Sequence, residues 1–255
     1  MKNFFAKLGL SVLAVMLMVS SVFAGNFMVG VEYSNVEQDL DGEEVNLVEE
    51  LVTMGYKIND NFTPYILFGN GNLSFTPSGS NYITVYDGYS VKTYTYNSIM
   101  SDFKEDSLIY GTGINGNLIK FINGINIAYD ANIRWMKVKG EVAGYDPGFS
   151  TDEFILLPGE FSYPIDFEYR KITGNLIISK EFVMNKEVVK PILNSITPFA
   201  GIQVSQVAID GSTVEKDLTS AILGAEIKIK DNWLLKVNAL VGDEKGYTAK
   251  VSYLF

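Results

Sequence analysis

Residues 39 to 50, DLDGEEVNLVEE, place Asp39, Asp41, Glu43 and Glu50 at the spacing of a calcium-binding loop. Such a loop needs its glycine at the sixth position, where the chain turns sharply between ligands, and here Gly42 stands fourth. The same residues read as an acidic Asp-Gly turn leading into a strand, so no metal site is assigned. Glu43-Glu44 and Asp152-Glu153 have the residue types for carboxylate chemistry. Adjacent acids in loops are ordinarily solvated surface. The chain has no His and no Cys. A Ser nucleophile or an activated water needs a base that titrates near neutral pH, which His supplies most often. No catalytic residue and no cofactor is assigned, and enzyme activity is not expected.

Contact chemistry is better represented. The stretch NYITVYDGYSVKTYTYN, residues 81 to 97, sets Asp87-Gly88 between two alternating β-branched and aromatic runs, a strong hairpin signal. It holds Tyr82, Tyr86, Tyr89, Tyr94 and Tyr96, five of the fifteen tyrosines. Tyrosine gives wide contact area at low entropic cost, which suits a binding surface. Cross-strand tyrosine pairs would equally serve to stiffen a protruding hairpin. A second long segment, residues 139 to 164, carries the apolar run Phe154 to Leu157, which would fold over a mouth or meet a partner.

The chain begins MKNFFAKLGLSVLAVMLMVSSVFAGN: Lys2 and Lys7, an uncharged apolar run from Leu8 to Val19, then Val22-Phe23-Ala24. That is the pattern of a secretory signal peptide cleaved after Ala24. Its removal takes away two Lys and no acid, so the formal net charge of −10 becomes −12 on residues 25 to 255. So acidic a chain repels nucleic-acid phosphate, and no nucleic-acid partner is expected. Without Cys there are no disulfides. No later stretch offers about 20 consecutive apolar residues for a membrane helix.

From Asn26 onward the dominant period is two, the mark of half-buried strands. In INIAYDANIRW, Ile125, Ile127, Tyr129, Ala131, Ile133 and Trp135 share one face, and Asn126, Asp130, Asn132 and Arg134 the other. Ten strands are expected, near residues 26–36, 46–58, 62–75, 107–119, 124–138, 165–180, 196–209, 217–230, 233–242 and 246–255. Eight or twelve remain open. A soluble barrel would turn its apolar face inward, whereas a transmembrane barrel turns it to lipid around a polar lumen. Full charges in mid-strand, aromatic residues at the ends of the apolar strips, and tight turns alternating with long polar loops favour lipid. The fold class is all-β, an antiparallel up-and-down transmembrane barrel with short periplasmic turns and long extracellular loops.

The leader together with DNFTPYILFGNG (60–71), ITPFAGIQV (196–204) and the final strand YTAKVSYLF (247–255) resembles the small bacterial outer-membrane β-barrel superfamily, with its opacity-type surface proteins and porin-like barrels. The resemblance implies residence in the bacterial outer membrane, contact with its lipid, and recognition by the barrel-assembly machinery. It gives the terminal assembly signal to Tyr247, Val251, Tyr253 and Phe255.

Parity assigns Glu32, Glu49, Asp130 and Glu226 to the lumen with Lys57, Arg134, Lys171, Lys228, Lys236 and Lys250. These charges would either pair into a plug or line a small aqueous path with mild anion preference. A barrel of this size is mostly filled by side chains, which favours the plug. The reading is a non-enzymatic, surface-exposed structural or adhesin-like barrel whose extracellular ligand the residues do not name. Its rival is a small porin set by Arg134 and Lys236, and a third reading is a soluble periplasmic ligand-binding barrel.

Overall fold

The computed structural model describes residues 26–40, 43–75, 80–86, 91–97, 99–100, 103–146, 149–150, 155–156, 159–184, 193–209, 217–230 and 232–255. The leader, Asp41-Gly42, Asp87-Gly88, Tyr89, Asp152-Glu153, Phe154 and Leu157 lie outside them. Ten long strands form the wall: β1 Phe27–Leu40, β2 Glu43–Tyr56, β3 Thr63–Phe75, β4 Phe103–Lys120, β5 Ile125–Asp146, β6 Gly159–Lys180, β7 Leu193–Ile209, β8 Asp217–Ile229, β9 Trp233–Gly242 and β10 Glu244–Leu254. Each pairs antiparallel with its neighbours in sequence, and β10 pairs with β1 from Met28↔Leu254 to Gln38↔Glu244. The sheet therefore closes into a ten-stranded antiparallel barrel without a free edge. Short strands Ile99–Met100 and Phe182–Val183 add to β5 and β7. Ser80–Tyr86 and Val91–Asn97 form the expected hairpin, separate from the wall. Ile155–Leu156 pairs with Phe149–Ser150 in a two-residue ladder.

The connections depart from strict alternation. At the end that carries the long segments 76–102 and 147–158, β1 to β2 spans only residues 41–42, and β9 to β10 only Asp243. At the other end, with both strand termini, the segment 181–192 is long and partly extended by Phe182–Val183.

Side-chain parity changes phase along the longer strands. On the outer face β5 presents Ile127, Tyr129, Ala131, Ile133 and Trp135, then exposed Lys137, Lys139 and Glu141. On its inner face Asp130, Asn132 and Arg134 give way to buried Met136 and Val138. On β6, Tyr169 and the partly buried Phe167 and Ile165 lie inside above Lys171 and Thr173, while Ile172, Leu176 and Ile178 lie outside below Arg170, Glu168 and Asp166. On β5 and β6 the wall is thus apolar-out and polar-in toward the termini, and polar-out and apolar-in toward the long connections. The span Ile127 to Trp135 matches the roughly 9–11 residues a tilted strand needs to cross a bilayer. Trp135 stacks on Tyr110 at 5.7 Å where the phase changes, and Tyr33 lies 6.1 Å from Tyr247. At the other margin Trp233, Tyr253, Phe255 and Phe27 form a chain of ring contacts at 4.9, 4.8 and 6.2 Å. These are two interfacial girdles around a lipid-facing belt.

Above the belt the interior is a hydrophobic core. Val45, Leu47, Leu73, Ile109, Met136, Val138, Tyr169, Val207 and Leu218 are buried in one cluster, with Phe75, Ile165, Phe167 and Ile209 packed against it. Val36, Ile177, Phe199, Ile222 and Leu240 form a second cluster lower in the barrel, against the cavity beneath this core. Gln38 on β1 and Glu244 on β10 fill the remaining sector, both almost fully buried.

Candidate functional site in the barrel interior

Directly beneath the core the strand registers bring charges into rows. Arg134 of β5 stands opposite Lys171 of β6, each being the first inward side chain below the apolar cluster. Like charges so placed repel unless each finds a counter-ion. Both do. Arg134 donates through Nη1 to Glu49 Oε2 and through Nη2 to Glu32 Oε1 at 3.2 Å, while its Nε donates to Asn132 Oδ1 at 3.1 Å. Ser34 donates to the same Glu49 oxygen at 2.9 Å. Lys171 donates to Glu244 Oε1, and Glu244 Oε2 accepts from Gln203 at 2.5 Å and Ser205 at 2.7 Å. Glu244 is 0% exposed and Lys171 7%. Ser220 joins Glu244 by its backbone, accepting from N at 2.9 Å and donating to O at 3.1 Å.

A second row crosses β8, β9, β10 and β1 as Glu226↔Lys236, Lys236↔Lys250 and Lys250↔Glu32. Lys250 reaches Glu32 Oε2 at 3.5 Å and stands 5.7 Å over the Tyr65 ring. Tyr65 donates its hydroxyl to Asp130 at 2.8 Å, and Asn132 donates to the same oxygen at 3.3 Å. Tyr65 has room to lie there because Gly113 faces it: a Cβ at that position would meet Tyr65 Cζ at 2.4 Å. Together these groups surround a polar cavity of about 110 Å³ whose lining includes Glu32, Asp130, Arg134, Lys171, Lys236 and Lys250.

Of the expected lumen residues, Glu32, Glu49, Asp130, Arg134, Lys171, Lys236 and Lys250 share this cavity. Glu226 and Lys228 occupy inward register positions on β8 nearer the termini, off the cavity wall. Lys57 is a correction. Strand β2 ends at Tyr56, so parity no longer applies one residue later, and Lys57 Nζ pairs with Asp60 at 2.7 Å in the turn. That hydrogen bond and charge hold the Asp60 carboxyl below its ordinary range. Glu244 was missed because the last strand was expected to begin at 246. Carrying the even positions 250, 248 and 246 two residues further would have found it. The hydrogen bond from Gln38 Nε2 to Tyr169 Oη at 2.8 Å has no signature in sequence, since 131 residues separate the partners.

Elsewhere, Tyr82, Tyr86, Tyr94 and Tyr96 stand opposite Thr95, Val91, Ile83 and Asn81 in the hairpin register. In this register no tyrosine of the ladder stands directly opposite another. Tyr247, Val251 and Tyr253 form an outward stripe on β10, and Phe255 N donates to Phe27 O at 2.9 Å. Among the described residues no group of three acids forms a metal-binding cluster.

No family profile matches the chain, and no curated protein matches it. Among solved structures it is similar to the β-domain of the Bordetella autotransporter BrkA, with 8% identity and a TM-score of 0.47 over 91% of this chain and 100% of that one. It is similar also to the transport unit of the autotransporter AIDA-I from Escherichia coli, with 11% identity and a TM-score of 0.43 over 95% and 97%. An outer-membrane channel from Pseudomonas putida F1 aligns with 11% identity and a TM-score of 0.38 over 92% and 97%. The closed wall, the apolar belt between two aromatic girdles and the charged interior define the architecture from the chain itself. The chain folds into a closed ten-stranded antiparallel β-barrel with an apolar outer belt.

Proposed function

We propose that the barrel is a non-enzymatic, non-conducting scaffold that holds surface elements outside the cell for structural or adhesive contact. One observation carries this reading: a cluster of buried apolar side chains from β2 to β8, closed on the β1 and β10 side by buried Gln38 and Glu244, fills the extracellular half of the lumen. A continuous water path through that layer would have to displace a packed apolar core, and ten-stranded barrels are narrow enough to be filled in this way. The 22-residue strands β5 and β6 supply the tallest part of the wall. Above the belt their outer surface carries Lys137 and Lys139, which pair with Asp166 at 3.7 and 3.1 Å. That exposed, charged wall and the separate Tyr-rich hairpin are the contact elements. The absence of His and Cys from the chain supports a role without catalysis. Outer-membrane lipid against the belt, and the assembly machinery acting on Tyr247, Val251, Tyr253 and Phe255, complete the set of partners.

The test has two arms. Planar-bilayer recording of refolded residues 25–255 should show inserted but silent protein. Reproducible current steps that change on Arg134→Gln or Lys236→Gln would instead establish the second reading, a small channel, which the polar cavity beneath the core favours. Deleting residues 79–98 should leave the barrel folded and abolish binding to cells or matrix. Binding that survives the deletion removes the hairpin from the mechanism.

A further inference from the structure

We infer that the periplasmic half of the lumen is a blind binding pocket for a small oxyanion such as inorganic phosphate, held by Lys236 and Lys250. The inference rests on the sealed-barrel reading and gives the enclosed space a ligand. Among the described residues two cross-strand pairs of basic residues face the interior, Arg134/Lys171 and Lys236/Lys250. In the first pair each cation has a carboxylate of its own. In the second only Lys250 does, at 3.5 Å from a Glu32 that Arg134 already occupies. Among the described residues Lys236 has no ion pair. Its register partner Glu226 does not reach it within salt-bridge distance, although the two are directly opposed.

The position of Lys236 is built rather than left over. The Phe199 ring lies across Gly224, where a Cβ would meet Cζ at 2.5 Å, and the Lys236 ammonium rests 5.0 Å above that ring. A cation–π contact holds the ammonium in place without neutralising it. On the next inward rung Asn238 stands opposite Thr248, and both line the same cavity. Neither side chain has a hydrogen-bond partner among the described residues. Two ammonium groups, an amide and a hydroxyl thus line one space. Glu32, Glu49 and Asp130 also line it, but each already accepts from Arg134, Lys250, Ser34, Tyr65 or Asn132. That leaves Lys236, Asn238 and Thr248 as donors for a tetrahedral oxyanion. A cavity of about 110 Å³ is roomy beside the 10–15 Å³ that one water requires. Because the core closes the extracellular side, the ligand enters from the periplasm.

The experiment is titration of refolded full-length mature protein in detergent with inorganic phosphate, read by 31P line broadening and by the thermal unfolding midpoint, with chloride at matched ionic strength as reference. Wild type should bind one phosphate and be stabilised by it beyond chloride. Lys236→Gln should bind at least about tenfold more weakly, the loss expected for one charge-assisted contact. Lys236→Arg and the outer-face control Lys137→Gln should retain binding. Absence of a specific phosphate response in wild type, or equal affinity in Lys236→Gln, overturns the inference. Should Lys236→Gln fail to fold, the wild-type titration and Lys236→Arg decide alone. Current in the bilayer assay would sink the sealed-barrel reading, whereas a silent barrel that ignores phosphate would sink only this one.

Discussion

If the extracellular half of the lumen is dry, the Lys171–Glu244 pair must behave as a buried ion pair, and that is measurable. Lys171→Met leaves the Glu244 carboxylate, 0% exposed, with only the Gln203 and Ser205 donors. Breaking a buried pair from one side typically costs about 3–5 kcal/mol, because a charge remains without its counter-ion. The two surviving donors put this variant near the lower figure, about 3 kcal/mol. Glu244→Gln strands the Lys171 ammonium, which has no second acceptor among the described residues, and should cost about 4 kcal/mol or more. The double variant Lys171→Met/Glu244→Gln buries no charge, and its amide still accepts from Ser205. It should lie within about 2 kcal/mol of wild type, since neutral replacement of a buried pair is often tolerated. The coupling energy, the two single costs less that of the double variant, is then about 5 kcal/mol, well outside additivity. Urea unfolding in lipid vesicles provides the measurement, followed by the fluorescence of Trp135 and Trp233, the only two tryptophans. A water-filled lumen would screen the pair to about 0–1 kcal/mol. Additive single variants of that small size would show that water reaches this pair and would refute a dry layer at Lys171 and Glu244.

Three further outcomes are expected. Gly113→Ala places a methyl against Tyr65 and 2.7 Å from the Ala131 carbonyl oxygen, so unfolding should ease by about 1–3 kcal/mol; an unchanged midpoint would show that Tyr65 is not held there. The Asp60 carboxyl is held low by Lys57, so the stabilisation it gives is present above the ordinary Asp value near 4 and lost as pH falls through the depressed one. Since the pair is exposed, Lys57→Ala should leave the midpoint at pH 7 unmoved, and a marked drop would place Lys57 back in the interior. Deleting Phe255 should permit folding in detergent but lower the amount assembled in the outer membrane. Undiminished assembly would detach the terminal aromatic from biogenesis.

The belt was legible in the sequence because there one face must meet lipid and the other the lumen, so a period of two follows from physics alone. All ten strands sit where alternation placed them. Their outer extensions were not legible for an equally physical reason. At Trp135-Met136-Lys137-Val138 the outward side chains turn polar just as the inward ones turn apolar. A reader following one apolar face sees the pattern break at residue 138 and assigns 139–164 to a loop, although β5 continues to Asp146 and β6 begins at Gly159. The interior rows were half legible: parity selects the face, but which acid meets Arg134 depends on stagger around the barrel. Glu49, Glu32 and Arg134 converge across 85 and 102 residues of chain.

The phase change also explains why a costly charge network is retained where an apolar filling would pack as well. Within the belt the outer face is necessarily apolar. An apolar inner face would make each strand hydrophobic on both sides, and a one-residue slip would then carry little penalty. Charges at Glu32, Glu49 and Arg134 make a slip expose an ion to lipid, so they fix register while adding little or nothing to stability. Above the belt, water outside and core inside do the same work with opposite polarity. The triple variant Glu32→Leu/Glu49→Leu/Arg134→Met should accordingly unfold within about 2 kcal/mol of wild type yet assemble in mixed registers. The chain has no native cysteine, so cysteines placed at the paired outward positions Thr112 and Ile133 report the register directly. Cross-linking should be nearly complete in the native background and clearly partial in the triple variant. Equal cross-linking in both would mean that turns and hydrogen bonds alone set the register, and the network would need another reason to exist.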